Sequence, residues 1–154
     1  MSFVEEKLQA LGLDLPPPPK AAGLYRPALL VGNHCWVSGQ LPFRNGKLLY
    51  TGKLGSNLSI EQGKESARLC ILNALAAAQS ALGNLDRIER VIRLAAFVAC
   101  PENFQDHAKV ADGASELLTQ IFGAHGQPTR ISVGASSLPL NSPVEIEILF
   151  SIRG

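Results

Sequence analysis

The sequence predicts an α+β fold in which two helices pack on one face of a mixed β-sheet. Three observations predict it. Short β-like stretches occur in both halves of the chain, two longer segments carry apolar residues at helical spacing, and these segments stand between the predicted strands. The resulting order, β-β-β-α-β-α-β-β, makes each helix a connection between strands. Because the helices cover one face, the other face of the sheet is left for a partner.

The first half of the chain predicts a hairpin and a further strand. Residues 28–31 and 34–38 flank Gly32 and Asn33, a dipeptide that is typical of tight turns, and this suggests the hairpin. Asn45-Gly46 marks a second turn before residues 47–50. All three strands precede the first long helix.

Two helices and a central strand follow. Ser59 is placed to cap the longest helix, with Gln62 three residues later, and the helical spacing of apolar residues continues to Gly83. The apolar residues 90–98 predict a central strand. A second amphipathic helix is predicted from about Asp106 to Gly123.

The last quarter of the chain carries the most informative pattern. Residues 128–133 and 144–150 both predict strands, with Arg130 and Ser132 on one face of the first and Glu145 and Glu147 on one face of the second. We therefore expect an arginine and a glutamate to project from neighbouring strands. A guanidinium held on a strand suits a carboxylate or a phosphate, and a nearby carboxylate could orient it or transfer protons.

Length and composition indicate one domain, residues 1–154, in which residues 1–20 form a short helix and a proline-rich connector. The chain is 46% hydrophobic and 18% charged, enough for a substantial core but too short for a second catalytic domain. Pro16 to Pro19 stop any helix and favour an extended connector.

Charge and cysteine content exclude several function classes. The net charge of +1 gives no attraction for a nucleic-acid backbone. The cysteines and histidines have neither the spacing of a metal site nor that of a disulfide framework, so we expect buried, reduced thiols and no metal. The acidic amino terminus lacks the pattern of a signal peptide, and no segment is long and apolar enough to cross a membrane. A cytoplasmic protein is expected.

Four groups of residues, in this order, resemble the Rid family of enamine and imine deaminases, also called the YjgF family and formerly labelled endoribonuclease L-PSP. They are Gly23-Leu24-Tyr25, Gly32-Asn33, the string Val37-Ser38-Gly39-Gln40-Leu41-Pro42, and the closing pair of strands with Arg130 and Glu145. The resemblance implies a chorismate-mutase-like fold and a homotrimer whose sheets face inward, with ligand clefts between neighbouring subunits. It also implies cofactor-free hydrolysis of reactive 2-enamine and 2-imine acids, of the 2-aminoacrylate type, to 2-keto acids and ammonia.

The resemblance also implies roles for individual residues. Arg130 matches the arginine that pairs with the substrate carboxylate, and Glu145 the glutamate that positions water or transfers a proton. Tyr25 matches a tyrosine at the mouth of the cleft, and Ser38 and Gly39 match the segment whose backbone meets the ligand. Two structural alternatives stay open: Arg130 in an ion pair at a subunit interface, and a salt bridge between Glu145 and Arg130 without proton chemistry.

Two candidate substrate-binding residues depart from the family pattern. Ser132 stands where many relatives carry a cysteine, and its hydroxyl could bind a ligand carboxylate. An asparagine expected in the second helix is either replaced by Asp112, where a carboxylate would repel an anionic ligand, or displaced by a small insertion. Together with the long amino-terminal extension, these departures indicate a divergent branch that prefers a different imine or has lost the activity.

Two other functions remain as alternatives. The first is a non-catalytic trimer that binds small carboxylates, such as keto acids, through Arg130. The second is cleavage of single-stranded RNA, which ranks last because the chain has only 6% aromatic residues and no basic surface pattern.

Overall fold

The computed structural model describes residues 1–21 and 23–154. Its main sheet has five strands in the order β1-β2-β7-β5-β6. Only β5 and β6 are parallel to each other; the other neighbours in this sheet are antiparallel. The strands of this sheet are β1 (Ala28–Val31), β2 (His34–Gln40), β5 (Ile88–Ala99), β6 (Thr129–Ala135) and β7 (Val144–Ile152).

The predicted hairpin and the predicted second turn are confirmed. β1 and β2 pair across the Gly32-Asn33 turn, and Asn45-Gly46 joins the short strands β3 (Phe43–Arg44) and β4 (Lys47–Leu48). The strand predicted at residues 47–50 is thus shorter than expected, because it pairs only with the two residues of β3.

Three helices accompany the sheet: α1 (Phe3–Ala10), α2 (Ile60–Leu82) and α3 (His107–Phe122). The capping box predicted for α2 is present, since the Ser59 side chain accepts from the Gln62 backbone and the Gln62 side chain accepts from the Ser59 backbone. Gly83 ends α2 with φ of 80°, a conformation that favours glycine. The predicted boundaries of α2 and α3 are therefore confirmed to within one or two residues.

Helices α2 and α3 pack against each other and cover one face of the sheet. A Cβ atom at Gly113 of α3 would lie 2.2 Å from the backbone oxygen of Lys64 in α2, so the two helix backbones meet directly at this glycine. The core between helices and sheet is apolar and includes Cys70, Leu75, Leu94, Leu117, Ile146 and Phe150. Cys35, Cys70 and Cys100 are all buried and free, as expected.

The register of the strands determines which side chains share a face. Leu94 in β5 is fully buried under the helices and pairs with Arg130, so Arg130 lies on the helix-covered face. Phe97 is partly exposed on the other face, which we call the open face, and it pairs with Glu145. The open face also exposes Leu29, Val31, Trp36, Ile131 and Val133.

The amino-terminal helix is confirmed and is fastened to the domain. The side chain of Asp86 accepts hydrogen bonds from the backbone nitrogens of Phe3 (2.9 Å) and Val4 (3.2 Å). Val4 and Leu8 are buried in the core. Between this helix and residue 21 the chain has no regular secondary structure, as expected for the connector.

Candidate functional site

Arg130 projects from the edge strand β6 towards α3. Its Nη1 donates to Asp112 Oδ1 at 2.8 Å and to Ser115 Oγ at 3.0 Å, and its Nη2 donates to the Ala108 carbonyl at 3.5 Å. All three acceptors belong to α3, at the spacing that places residues on one face of a helix. The guanidinium is thus oriented by the helix, while a quarter of the side chain remains exposed.

Ser132 lies two residues further along β6, on the same face as Arg130. Its Oγ is buried and has no hydrogen-bond partner within the described part of the chain. An unpartnered hydroxyl in such a position costs free energy unless a ligand or a small shift satisfies it. Arg130, Asp112, Ser115 and Ser132 are called the arginine group below.

Glu145 lies on the open face, directly against β2. A Cβ atom at Gly39 would stand 2.5 Å from Glu145 Oε2 and 3.0 Å from its Cδ. Glycine at position 39 therefore allows the carboxylate to rest on the backbone of β2, at the irregularity in strand pairing between Val37 and Gln40. Glu145, Gly39 and Ser38 are called the glutamate group below.

The structure distinguishes Glu145 from Glu147, which the strand pattern could not do. Glu147 forms a salt bridge with Arg93 at 3.0 Å, and both side chains are about half exposed. Burial raises the pKa of the Glu145 carboxyl, and the negative charge of Glu147 raises it further. A carboxyl group with a raised pKa holds a proton more readily than an exposed glutamate does, which suits it to proton transfer.

Ser38 connects the glutamate group to the Tyr25 segment. Its Oγ donates to the Arg26 carbonyl at 2.6 Å, and its backbone nitrogen donates to the Pro27 carbonyl at 2.9 Å. Tyr25 is about half exposed beside this junction. The predicted candidates Tyr25, Ser38, Gly39 and Glu145 are thus placed in one region.

The arginine group and the glutamate group are on opposite faces of the sheet. The expectation that Arg130 and Glu145 project from neighbouring strands is wrong, because β5 lies between β6 and β7. The alternative of a salt bridge between them within one chain is also wrong, because Arg130 pairs with Asp112. Sequence alternation assigns faces along each strand, but it does not specify which strands are adjacent.

Sequence reasoning missed two features near Arg130. Ser115 was not singled out, although its position three residues after Asp112 places it on the same face of α3. The second is His107, for which the sequence pattern predicts no contact. Its Nε2 lies 3.4 Å from the sulfur of Cys100, and a Cβ atom at Gly134 would lie 2.7 Å from this nitrogen.

The large cavities do not coincide with either group. One of about 840 Å³ lies between the proline-rich connector and the β3–β4 hairpin, and another of about 600 Å³ lies between α1 and the end of α3. Neither is lined by Arg130 or Glu145. Both groups therefore lie outside these two cavities.

Within residues 1–21 and 23–154, no cluster of three or more histidine, cysteine, aspartate or glutamate side chains is arranged to bind a metal ion. No helix in the same residues has the length and apolar character needed to cross a membrane.

Comparison with known proteins identifies the family. A family model described as "YjgF/chorismate_mutase-like, putative endoribonuclease" matches residues 5–152. The chain belongs to this YjgF, or Rid, family. The chorismate-mutase-like fold expected from the sequence is therefore confirmed.

Relatives of this Rid protein span nearly its whole length. Protein TCP17 of Trypanosoma cruzi is 37% identical, over 97% of this chain and 94% of its own. The crystal structure of Atu1372 from Agrobacterium tumefaciens, a protein of unknown function, superimposes with a TM-score of 0.92 at 38% identity, covering 98% of this chain and 93% of that one. The amino-terminal helix and connector are therefore within the region that these relatives share.

Two more distant Rid relatives give information on a bound ligand and on a location in the cell. The crystal structure of Escherichia coli TdcF contains bound serine; it has a TM-score of 0.59 and 26% identity, covering 89% of this chain and 94% of that one. The Saccharomyces cerevisiae protein MMF1, which is named as mitochondrial, is 30% identical over 85% of this chain and 77% of its own.

Proposed function

We propose that this protein hydrolyses reactive 2-enamine and 2-imine acids to 2-keto acids and ammonia, without a cofactor, at sites shared between subunits of a homotrimer. Two features of the chain support the proposal: an arginine fork oriented by α3, and a half-buried glutamate whose pKa is raised. The first suits a substrate carboxylate and the second suits a water molecule.

Assembly is required because the arginine group and the glutamate group face in different directions. In one chain Arg130 lies on the helix-covered face of the edge strand β6, and Glu145 lies on the open face. The exposed apolar side chains of the open face, including Trp36 and Phe97, favour burial against other subunits. Packing of open faces around a threefold axis brings Glu145 of one subunit to the β6 edge of the next.

An enamine substrate first tautomerises to the imine by moving a proton from nitrogen to the β-carbon, and water then attacks the carbon of the nitrogen-protonated imine. Arg130 binds the substrate carboxylate and holds the imine beside Glu145 of the neighbouring subunit. The Glu145 carboxylate accepts a proton from water while the new C–O bond forms and the π electrons of the C=N bond move to nitrogen. Binding both reactants in one cleft lowers the entropic part of the barrier.

The second step breaks the carbon–nitrogen bond. The Glu145 carboxyl group returns its proton to nitrogen. The hydroxyl group of the tetrahedral intermediate then gives its proton to the Glu145 carboxylate, from which it passes to solvent, as the carbonyl forms and the C–N bond breaks. Ammonia leaves, and the product is the 2-keto acid. Both steps need one group that accepts and then donates a proton, for which a raised carboxyl pKa is suited.

Keto-acid release tests the reaction. A dehydratase generates 2-aminoacrylate or 2-aminocrotonate in the cuvette, with semicarbazide as the competing trap. We expect wild-type protein to accelerate release, Arg130→Ala to abolish the acceleration, and Arg130→Lys to restore little, because lysine lacks the planar fork. An absence of acceleration by wild-type protein, with 2-ketobutyrate still binding through Arg130, would support a non-catalytic binding trimer instead.

Subunit mixing tests the shared site. We expect Arg130→Ala and Glu145→Gln to be inactive alone, and a mixture refolded together to regain part of the activity. A hybrid trimer contains one cleft in which an intact Arg130 meets an intact Glu145 of the next subunit. The double variant mixed with either single variant is the control. Recovery no greater than in this control would contradict a site built from two subunits.

We place the protein in the cytoplasm, with a small carboxylate-bearing ligand as its partner. The three buried free thiols favour a reducing compartment. Cell fractionation distinguishes this location from the mitochondrial one carried by the name of MMF1.

A further inference from the structure

The guanidinium of Arg130 already has a carboxylate partner in its own chain. Nη1 has two protons, and both are used, by Asp112 Oδ1 at 2.8 Å and by Ser115 Oγ at 3.0 Å. The contact between Nη2 and the Ala108 carbonyl, at 3.5 Å, is at the weak limit for a hydrogen bond. Arg130 is therefore not a bare cation that awaits an anion.

One edge of the guanidinium remains available to a ligand. Within residues 1–21 and 23–154, Nε has no hydrogen-bond partner, and one Nη2 proton is unused. These two donors suit the two oxygens of a carboxylate. A ligand bound there would have its negative charge close to Asp112, because both carboxylates would share one guanidinium.

Lys64 also interacts with Asp112, but it does not offset this second negative charge. It pairs with Glu116 at 3.1 Å. Glu116 raises the pKa of Lys64 most, and Asp112 adds a smaller increase. A simple 2-keto acid would therefore bring the local charge below zero. A ligand with a protonated nitrogen beside its carboxylate would leave the charge balanced and could donate to the second oxygen of Asp112.

We infer that Asp112 determines specificity at Arg130, by selecting ligands with a cationic nitrogen beside the carboxylate, α-amino and iminium acids, over simple 2-keto acids. The inference rests on the proposed function, because it assumes that Arg130 receives the ligand carboxylate. It deepens that function in one respect: the protonated imine substrate is zwitterionic and the keto-acid product is an anion, so Asp112 favours the substrate and promotes release of the product.

Calorimetric titration with two ligands of the same carbon skeleton tests the inference. The probes are L-2-aminobutyrate, a zwitterion without a hydrolysable imine, and 2-ketobutyrate, an anion. We expect wild-type protein to bind the amino acid more tightly. Asp112→Asn keeps an oxygen acceptor for Arg130 Nη1 but removes the charge. Compared with wild type, we expect Asp112→Asn to bind 2-ketobutyrate roughly tenfold more tightly and L-2-aminobutyrate more weakly. A tenfold change in affinity is the scale of one sheltered contact between two charges.

Three controls separate the possible results. Asp112→Glu retains the charge and is expected to keep the preference for the amino acid, which also covers the case in which Asp112→Asn does not fold. Ser115→Ala removes the neutral acceptor of Nη1 and is expected to leave the ratio of affinities near the wild-type value. Arg130→Ala is expected to lose both ligands.

Two outcomes would overturn the inference, and they differ in what else they affect. If Asp112→Asn leaves the ratio unchanged while Arg130→Ala loses both ligands, Asp112 has no selective role and the proposed anchor stands. If Arg130→Ala binds both ligands as wild type does, the ligand carboxylate does not bind Arg130, and the proposed function fails with the inference.

Discussion

The carboxylate of Glu145 rests on the backbone of Gly39, because a Cβ atom there would lie 2.5 Å from Glu145 Oε2. The contact joins β7 to β2 and sets the direction in which the carboxyl group points. Ser38, the preceding residue, holds the Tyr25 segment through its bond to the Arg26 carbonyl. One glycine thus determines the geometry of the glutamate group.

Gly39→Ala is expected to reduce activity without unfolding the protein. The new methyl group would meet the end of the flexible Glu145 side chain, so we expect the Glu145 carboxylate to move and the backbone to stay in place. We expect activity to fall roughly 100-fold, the scale of losing a positioned acid–base group, with little change in melting temperature. In a Glu145→Ala background the same substitution is expected to add little further loss. A full additional loss in that background would show that Gly39 acts independently of Glu145.

The raised pKa of Glu145 makes stability depend on pH. A carboxyl group whose pKa is higher in the folded state favours folding when protonated. This contribution is fully present below the unfolded value of about 4.5 and is lost as pH rises through the folded value. We expect the free energy of unfolding to decline over that window in wild-type protein and to decline less in Glu145→Gln, as measured by denaturant unfolding at several pH values.

Glu147→Gln is expected to lower the pKa of Glu145 only in part. Burial is the larger cause of the shift and remains, while the repulsion from Glu147 is removed. The acidic limb of the pH–activity profile should move to lower pH without reaching that of an exposed glutamate. Arg93→Gln, which removes the salt-bridge partner of Glu147 and keeps its charge, is the control. An identical shift in both variants would contradict a direct effect of the Glu147 charge.

Gly113→Ala is expected to destabilise the protein by about 3 kcal/mol or more, since overpacking costs roughly 1–3 kcal/mol even where side chains can adjust. Here the new methyl group meets the backbone oxygen of Lys64 at 2.2 Å, and two helices would have to separate. Gly63→Ala in α2 is the matched control, because its methyl group meets side-chain atoms of Leu54 and Val110. The free energy of unfolding is measured for both variants by chemical denaturation. An equal decrease in Gly113→Ala and Gly63→Ala would contradict the close contact of the helix backbones at Gly113.

Ser132→Ala is expected to leave the free energy of unfolding unchanged or to raise it by up to about 1 kcal/mol, because it removes a buried hydroxyl without a partner. Ser142→Ala is the contrasting variant. Ser142 is buried, and its Oγ donates to the Val144 carbonyl at 2.8 Å. Loss of this hydrogen bond should lower the free energy of unfolding by about 1 kcal/mol. Equal destabilisation of the two variants would indicate that Ser132 has a partner.

Most of the fold could be predicted because its signals are local. Ser59 and Gln62 form their capping box within one helical turn, and Gly32-Asn33 and Asn45-Gly46 form turns through their own backbone preferences. The alternation along β6 correctly placed Arg130 and Ile131 on opposite faces of the sheet, and the alternation along β7 did the same for Glu145 and Ile146. Each of these features depends on residues a few positions apart, so it can be recognised from the order of residues in the sequence.

The candidate site depended on contacts between distant segments, which no linear pattern specifies. The insertion of β5 between β6 and β7 separates Arg130 from Glu145, and it results from the pairing of residues 36 to 64 positions apart. The partnership of Arg130 with Asp112 and Ser115 depends on how α3 packs over the edge strand. The chain order supplied the chemical groups, while long-range packing determined which of them meet within the chain.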